Sequence, residues 1–211
     1  MQTPNPSDIL NTSKPLNIEL FDDLVSQFFS NNVNSHVHNI LTQFQRLPDA
    51  FTKAPDIVAK SNSINSKMIA LSILQQAIQT KWKILPEKQK RGIKGFVETI
   101  IVKLSTDKKI KNQQMTPFLN KLNIILIEII KREWPHNWPG FVRQIVAASK
   151  KNETLCINNM KLLKMLSEEA FDGQCSGITS NAQENLKKNL DNELQSVFEL
   201  CMFVLKKSQD S

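Results

Sequence analysis

Apolar residues in this chain return at steps of three and four, the spacing that lines one face of an α-helix. Leu20, Phe21, Leu24, Val25 and Phe28 predict a first helix over about 16–30. Val37, Ile40, Leu41 and Phe44 predict a second over about 33–46, stopping before Pro48-Asp49. A short helix near 50–60 is broken by Ser61-Asn62-Ser63, and Ile64, Met68, Leu71, Leu74, Gln75 and Ile78 then mark a longer one over 64–82. Pro86 suits the first turn of the next helix, and Glu87 complements its positive end; Ile93, Val97, Ile100, Ile101 and Leu104 carry it to about 105. The polar, basic stretch 106–115 reads as a loop. Thr116 is expected to cap, and Pro117 to open, the most apolar helix, with Leu119, Leu122, Ile125, Leu126, Ile129 and Ile130 inward.

That helix must end at Trp134-Pro135 and Trp138-Pro139, because each proline restricts the residue before it and cannot continue a helix. The indoles flanking the turn are expected to fill the gap between neighbouring helices as core or corner residues. Beyond the corner lie expected helices over 138–150, with Phe141, Ile145 and Val146, and over 154–171, with Leu155, Cys156, Met160, Leu163, Leu166 and Ala170. A last one is expected over 180–206, carrying Leu190, Leu194, Val197, Phe198, Cys201, Val204 and Leu205.

The pattern is helix, turn, helix, repeated every 35–45 residues or so, the period of HEAT and armadillo units. No such hairpin buries its apolar faces alone, so the expected fold is all-α: an α-solenoid of about four to five HEAT-type helical hairpins over 16–211, after a loose tail at 1–15. The final helix is as apolar as an internal one, where solenoids normally carry a polar cap. The expectation is therefore an N-terminal fragment of a longer superhelix.

Five glycines and no tyrosine fit helix throughout. The longest mainly apolar run, Leu122 to Ile130, is too short to cross a bilayer, and the polar N-terminus has no signal-peptide core. Cys156, Cys175 and Cys201 are odd in number and fit no metal spacing, so they read as free thiols of a reducing compartment. His36, His38 and His136 join no metal-ligating or catalytic constellation. There is no phosphate loop, nucleophile–base pair or paired-carboxylate site, so no enzyme, metal or cofactor is expected. The net charge of +7 allows an acidic partner or nucleic acid, but the cations are interleaved with acids along helices.

Three blocks carry a family resemblance: Thr80-Lys81-Trp82-Lys83-Ile84-Leu85-Pro86, the run from Lys121-Leu122-Asn123 to Trp138-Pro139, and Asn158-Asn159-Met160 through Ala170-Phe171-Asp172. Together they resemble the N-terminal region of the exportin-1 group of nuclear export receptors, within the importin-β (karyopherin) superfamily. Trp82, Pro86, Trp134, Pro135, Trp138 and Pro139 are its structural signature here. Pro117 and Asp172-Gly173-Gln174-Cys175 depart from the usual pattern. The resemblance implies an importin-N-terminal, Ran-binding type region at about 37–103, and B helices on a concave face that receives Ran in its GTP form. It implies export-signal cargo and nucleoporins as partners of the full-length receptor, nucleic acid only indirectly through cargo, no membrane, and shuttling between nucleus and cytoplasm.

On those B helices the candidate Ran contacts are His36 and Asn39, Asn65 and Lys67, Lys121 and Asn123, and Asn158, Asn159, Lys164, Glu168 and Glu169. For Asn123 and Asn159 the alternative is a buried amide bonded between repeats, and for the lysines plain surface exposure. Two other readings compete: a generic helical-repeat scaffold for a different partner, and a nucleic-acid binder using the basic run Lys81, Lys83, Lys88, Lys90, Arg91 and Lys94, with Lys108, Lys109 and Lys111 beyond.

Overall fold

The computed structural model describes residues 5–11, 13–30, 35–106, 115–171 and 179–209, and among them the regular structure is helical throughout. The chain divides into two compact units, Met1–Ile84 and Leu85–Ser211.

The first unit holds α1 (Ile18–Phe29), α2 (Ser35–Arg46), α3 (Ala54–Lys60) and α4 (Ile64–Lys81). Caps fix the starts: Asn17 Oδ1 accepts from the Leu20 N–H at 3.1 Å, and Ser63 Oγ from the Ser66 N–H at 3.2 Å. α1 pairs with α2 and α3 with α4, and α1 also packs on α4. Phe21 and Phe44 meet at the centre of the α1–α2 hairpin, ring centroids 5.2 Å apart and tilted by 55°. Ser61 Oγ donates to Asp22 Oδ1 at 2.7 Å and ties the end of α3 to α1.

Two sequence expectations change here. The tail is not loose where it is described: Pro6–Leu10 forms a 3-10 turn that packs on α1 and α2, with Ile9 only 2% exposed, and Lys53 donates to the Lys14 carbonyl at 3.0 Å. Phe28, expected inward, is 39% exposed and stacks instead on His38 of α2 at 5.4 Å.

One buried hydroxyl of this unit lacks a hydrogen-bond partner, Ser66 Oγ in α4. Ser66→Ala removes an unsatisfied polar group and improves helix propensity. It is expected to raise the free energy of unfolding by about 0.5–1 kcal/mol. Denaturant titration followed by circular dichroism checks this, and a loss of stability would mean that the hydroxyl has a partner.

The second unit holds α5 (Glu87–Thr106), α6 (Thr116–Glu133), α7 (Phe141–Ser149), α8 (Glu153–Phe171), α9 (Ser180–Asn192) and α10 (Leu194–Gln209). These form the hairpins α5–α6, α7–α8 and α9–α10. The first helix of one hairpin packs on the second of the next, α5 on α8 and α7 on α10, as α1 packs on α4 in the other unit. This recurrence is what HEAT-type stacking requires.

Thr116 is the first residue of α6, not its cap; the capping position is Met115, without a side-chain bond, and Pro117 occupies the first turn. The helix expected over 180–206 is two helices. At Glu193 the backbone N–H turns back to the Leu190 carbonyl at 3.1 Å, while the Glu193 carbonyl accepts the first bond of α10 from Val197 at 3.2 Å. Arg143 Nε of α7 lies 3.5 Å from Glu193 Oε2, so the break sits where α10 docks on α7. α10 packs on α7 and α9, and Leu194, Phe198 and Leu205, expected inward, are 60%, 57% and 56% exposed.

The double Trp-Pro motif forms the corner between α6 and α7. Trp134, extended before its cis proline, keeps its N–H on the Ile130 carbonyl at 2.9 Å. Trp82, Trp134 and Trp138 are all buried. Trp138 donates its indole N–H to Gln144 at 3.1 Å, meets Phe141 edge-on at 4.9 Å and carries the Lys94 ammonium 4.5 Å above its ring.

Candidate protein-docking face

In the first unit the expected contacts remain accessible. His36 and Asn39 are exposed on α2, with Asn39 accepting a bond from Gln43 at 3.2 Å, and Asn65 is exposed and Lys67 half-buried in the first turns of α4.

In the second unit the candidates divide sharply. Asn123, for which a buried amide between repeats was the alternative, and Asn158, expected outward, are buried and bonded to each other: Asn123 Nδ2 donates to Asn158 Oδ1 at 2.8 Å, and Asn158 Nδ2 donates back at 3.1 Å. Asn159 is also buried; it donates to Ser149 Oγ at 2.9 Å and to the Ile145 carbonyl at 3.4 Å, tying α8 to α7. The reason is geometric: a helix with neighbours on two sides has a wide buried arc, and amides inside it must be paired. None of these three amides is presented to a partner.

Glu169 turns inward as well. Its Oε2 takes the Lys131 ammonium at 3.0 Å, and Glu128 holds the same ammonium at 3.0 Å while bonding Arg132 at 2.7 Å. The Lys131 side chain is fully buried. Burial pulls its pKa down, but the hydrogen bonds and charges of Glu169 and Glu128 outweigh burial and hold it above the usual lysine value. Sequence reasoning missed this group. Its signal was Glu128, Lys131 and Arg132 at i, i+3 and i+4 in an otherwise apolar helix.

What α8 does present is a row at steps of three and four: Glu153, Ile157, Lys161, Lys164, Glu168 and Phe171, all exposed. Ile157 and Phe171 are 55% and 53% exposed, and neither stood out in the sequence. Lys164 and Glu168 face each other loosely at 3.5 Å, in water. Lys121 of α6 is half-buried, and desolvation lowers its pKa.

The basic run is partly committed. Lys81 donates to the Pro48 carbonyl at 2.9 Å, Lys90 pairs with Glu87 at 2.7 Å and Lys94 covers Trp138. Lys83, Lys88 and Arg91 are exposed; Lys108, Lys109 and Lys111 lie outside the described residues, as does Cys175. Cys156 is a buried thiol whose pKa burial pushes up, and Cys201 is a half-buried free thiol. Among the described residues no group of His, Cys, Asp and Glu has the arrangement of a metal site, and no helix is long and apolar enough to cross a membrane.

Two family models match consecutive parts of the chain: "Importin-beta N-terminal domain" over residues 37–103, from α2 into α5, and "Exportin 1-like protein" over 116–211, from α6 onward. Exportin-1 of Schizosaccharomyces pombe is 41% identical over 203 residues, 95% of this chain. Exportin-1 of Drosophila melanogaster is 41% identical over 205 residues, 96% of the chain, and that of Dictyostelium discoideum 36% over 202 residues, 94% of the chain. The chain belongs to the exportin-1 family. It spans 19% of the length of each of these relatives. The hairpins of this exportin-1-type chain are thus the HEAT-type units of that family, and the buried amide and ion pairs of α6 and α8 lie within its "Exportin 1-like protein" region.

Proposed function

We propose that this chain is the Ran-docking module of a nuclear export receptor, binding Ran in its GTP form. The receptor would carry leucine-rich export-signal cargo from nucleus to cytoplasm and shuttle between the two. Family membership supports the receptor role, and the "Importin-beta N-terminal domain" match is consistent with Ran binding. Such receptors work by binding rather than by catalysis, so GTP is hydrolysed by the partner.

The observation that carries the reading is the α8 row. Lys161, Lys164 and Glu168 stand in water on a helix whose back is pinned by buried bonds, with apolar Ile157 and Phe171 at the ends. Exposed charges of both signs on a rigid helix orient a partner, and apolar ends anchor it. His36, Asn39, Asn65 and Lys67 extend the proposal to α2 and α4. Cargo and nucleoporins would engage other parts of the receptor, coupled by linkage: if Ran tightens cargo, cargo tightens Ran equally.

The test is a titration of the chain, and of a full-length receptor carrying it, with Ran loaded with a GTP analogue or with GDP. The GTP form is expected to bind more tightly, and Lys164→Glu to weaken it about fivefold, roughly 1 kcal/mol. Equal binding of the two nucleotide forms overturns the reading.

A further inference from the structure

We infer that two buried polar ties between α6 and α8, the Asn123–Asn158 amide pair and the Lys131–Glu169 ion pair, set the axial register of these helices and so position the α8 row for its partner. This rests on the docking reading above and names residues that act on binding without touching the partner.

The ties stand well apart on both helices. On α6 they are eight residues apart, about 12 Å at 1.5 Å per residue; on α8 they are eleven apart, about 16 Å. The long lysine side chain spans the difference. Lys161 and Lys164 lie between the two tie points on α8, and Glu168 is the immediate neighbour of the second. One tie alone would leave a pivot; two separated ties fix both sliding and rotation.

Aliphatic burial is non-directional, and a buried polar pair specifies register more sharply than it does. A reciprocal amide pair is different. Both of its bonds, 2.8 and 3.1 Å, form together in one alignment, and a slip of one residue strands two buried amides. The Lys131 ammonium is likewise held between two carboxylates at 3.0 Å each, out of contact with water. A third bond, from Asn159 to Ser149, holds α8 against α7 from its other side.

Stability alone does not require these pairs. Replacing both members of a buried polar pair by apolar groups of similar shape is often neutral or stabilising, whereas removing one member is costly. That separates register from stability. In the double variant Asn123→Leu/Asn158→Leu, the unfolding midpoint is expected to stay the same or rise. The distance between nitroxides carried on p-acetylphenylalanine at positions 124 and 161, both exposed, is expected to broaden or shift when read by double electron–electron resonance. Affinity of the unlabelled variant for Ran with a GTP analogue should fall about fivefold or more. If that variant does not fold, Lys131→Met/Glu169→Met removes the other tie; its unfolding midpoint is expected to fall, because buried Glu128 loses one of its two cations, while its distance distribution and affinity are read in the same way.

An unchanged distance distribution in a folded double variant overturns the inference, whatever the affinity. A shifted distribution with undiminished affinity overturns it too, since the register would then place nothing. A shifted distribution in a chain whose unsubstituted form binds neither nucleotide state of Ran supports the register tie and overturns the docking reading instead.

Discussion

Trp138→Ala is expected to lower the unfolding free energy of the Leu85–Ser211 unit by about 3–5 kcal/mol, the usual cost of truncating a buried aromatic side chain. Several losses coincide at this position. The indole is 8% exposed, so most of its surface leaves an apolar setting. Its edge-on contact with Phe141 at 4.9 Å and the Lys94 ammonium at 4.5 Å go with it, and the Gln144 amide loses its indole donor. Trp138 also walls an apolar pocket of about 210 Å³ with Ile101, Leu126 and Leu162, so the truncated site enlarges an existing space instead of collapsing. Against a total of about 5–15 kcal/mol, such a loss takes a large share of the unit's stability. Denaturant unfolding followed by circular dichroism measures it. Trp138→Phe, which keeps the ring contact and loses the N–H, should fall between; an alanine variant within about 1 kcal/mol of the parent would show that the corner does not depend on the indole.

Lys131→Met is expected to cost about 2–4 kcal/mol at neutral pH. The figure lies below the full penalty for breaking a buried pair, because Arg132 still neutralises Glu128 and the Glu169 side chain keeps 33% of its exposure. The lysine's contribution also has a pH signature. Its folded pKa is raised above the unfolded value of about 10.4. The stabilisation is therefore complete below about pH 10.4 and is lost as pH rises through the higher folded value. The stability gap between parent and variant should stay level from neutral pH to about 10 and close above it. A gap that widened with alkali would contradict the arrangement. Adding Glu169→Met should recover part of the loss, since it removes the carboxylate left without its cation.

Most of the helices were legible because their apolar periodicity is local. The faces of α2 and α7 were read residue by residue, and Val37, Ile40, Leu41, Phe44, Phe141, Ile145 and Val146 are all buried. The break at Glu193 was not legible. Asn192-Glu193-Leu194 contains no proline or glycine, and the groups that meet the break, Arg143 and the rest of α7, are distant in sequence. The candidate face was legible in part. Burial between repeats, the alternative weighed for Asn123 and Asn159, is what the structure shows for both; the burial of Asn158 depends on α6, which periodicity along α8 does not report. The outward row was also legible in part: Lys164 and Glu168 were named from the sequence, whereas Ile157 and Phe171, apolar and exposed, carry no signal in a polar-against-apolar pattern.

The three indoles are also the chain's spectroscopic inventory. There is no tyrosine, so near-ultraviolet emission excited at the aromatic band comes almost wholly from Trp82, Trp134 and Trp138. All three are sheltered from water, and each unit has its own reporter: Trp82 in the first, Trp134 and Trp138 at the corner of the second. In a Trp82→Phe variant, the shift of emission toward longer wavelength on unfolding tracks the Leu85–Ser211 unit alone. Comparison with the parent then resolves whether the two units melt together or in turn, without attaching a dye.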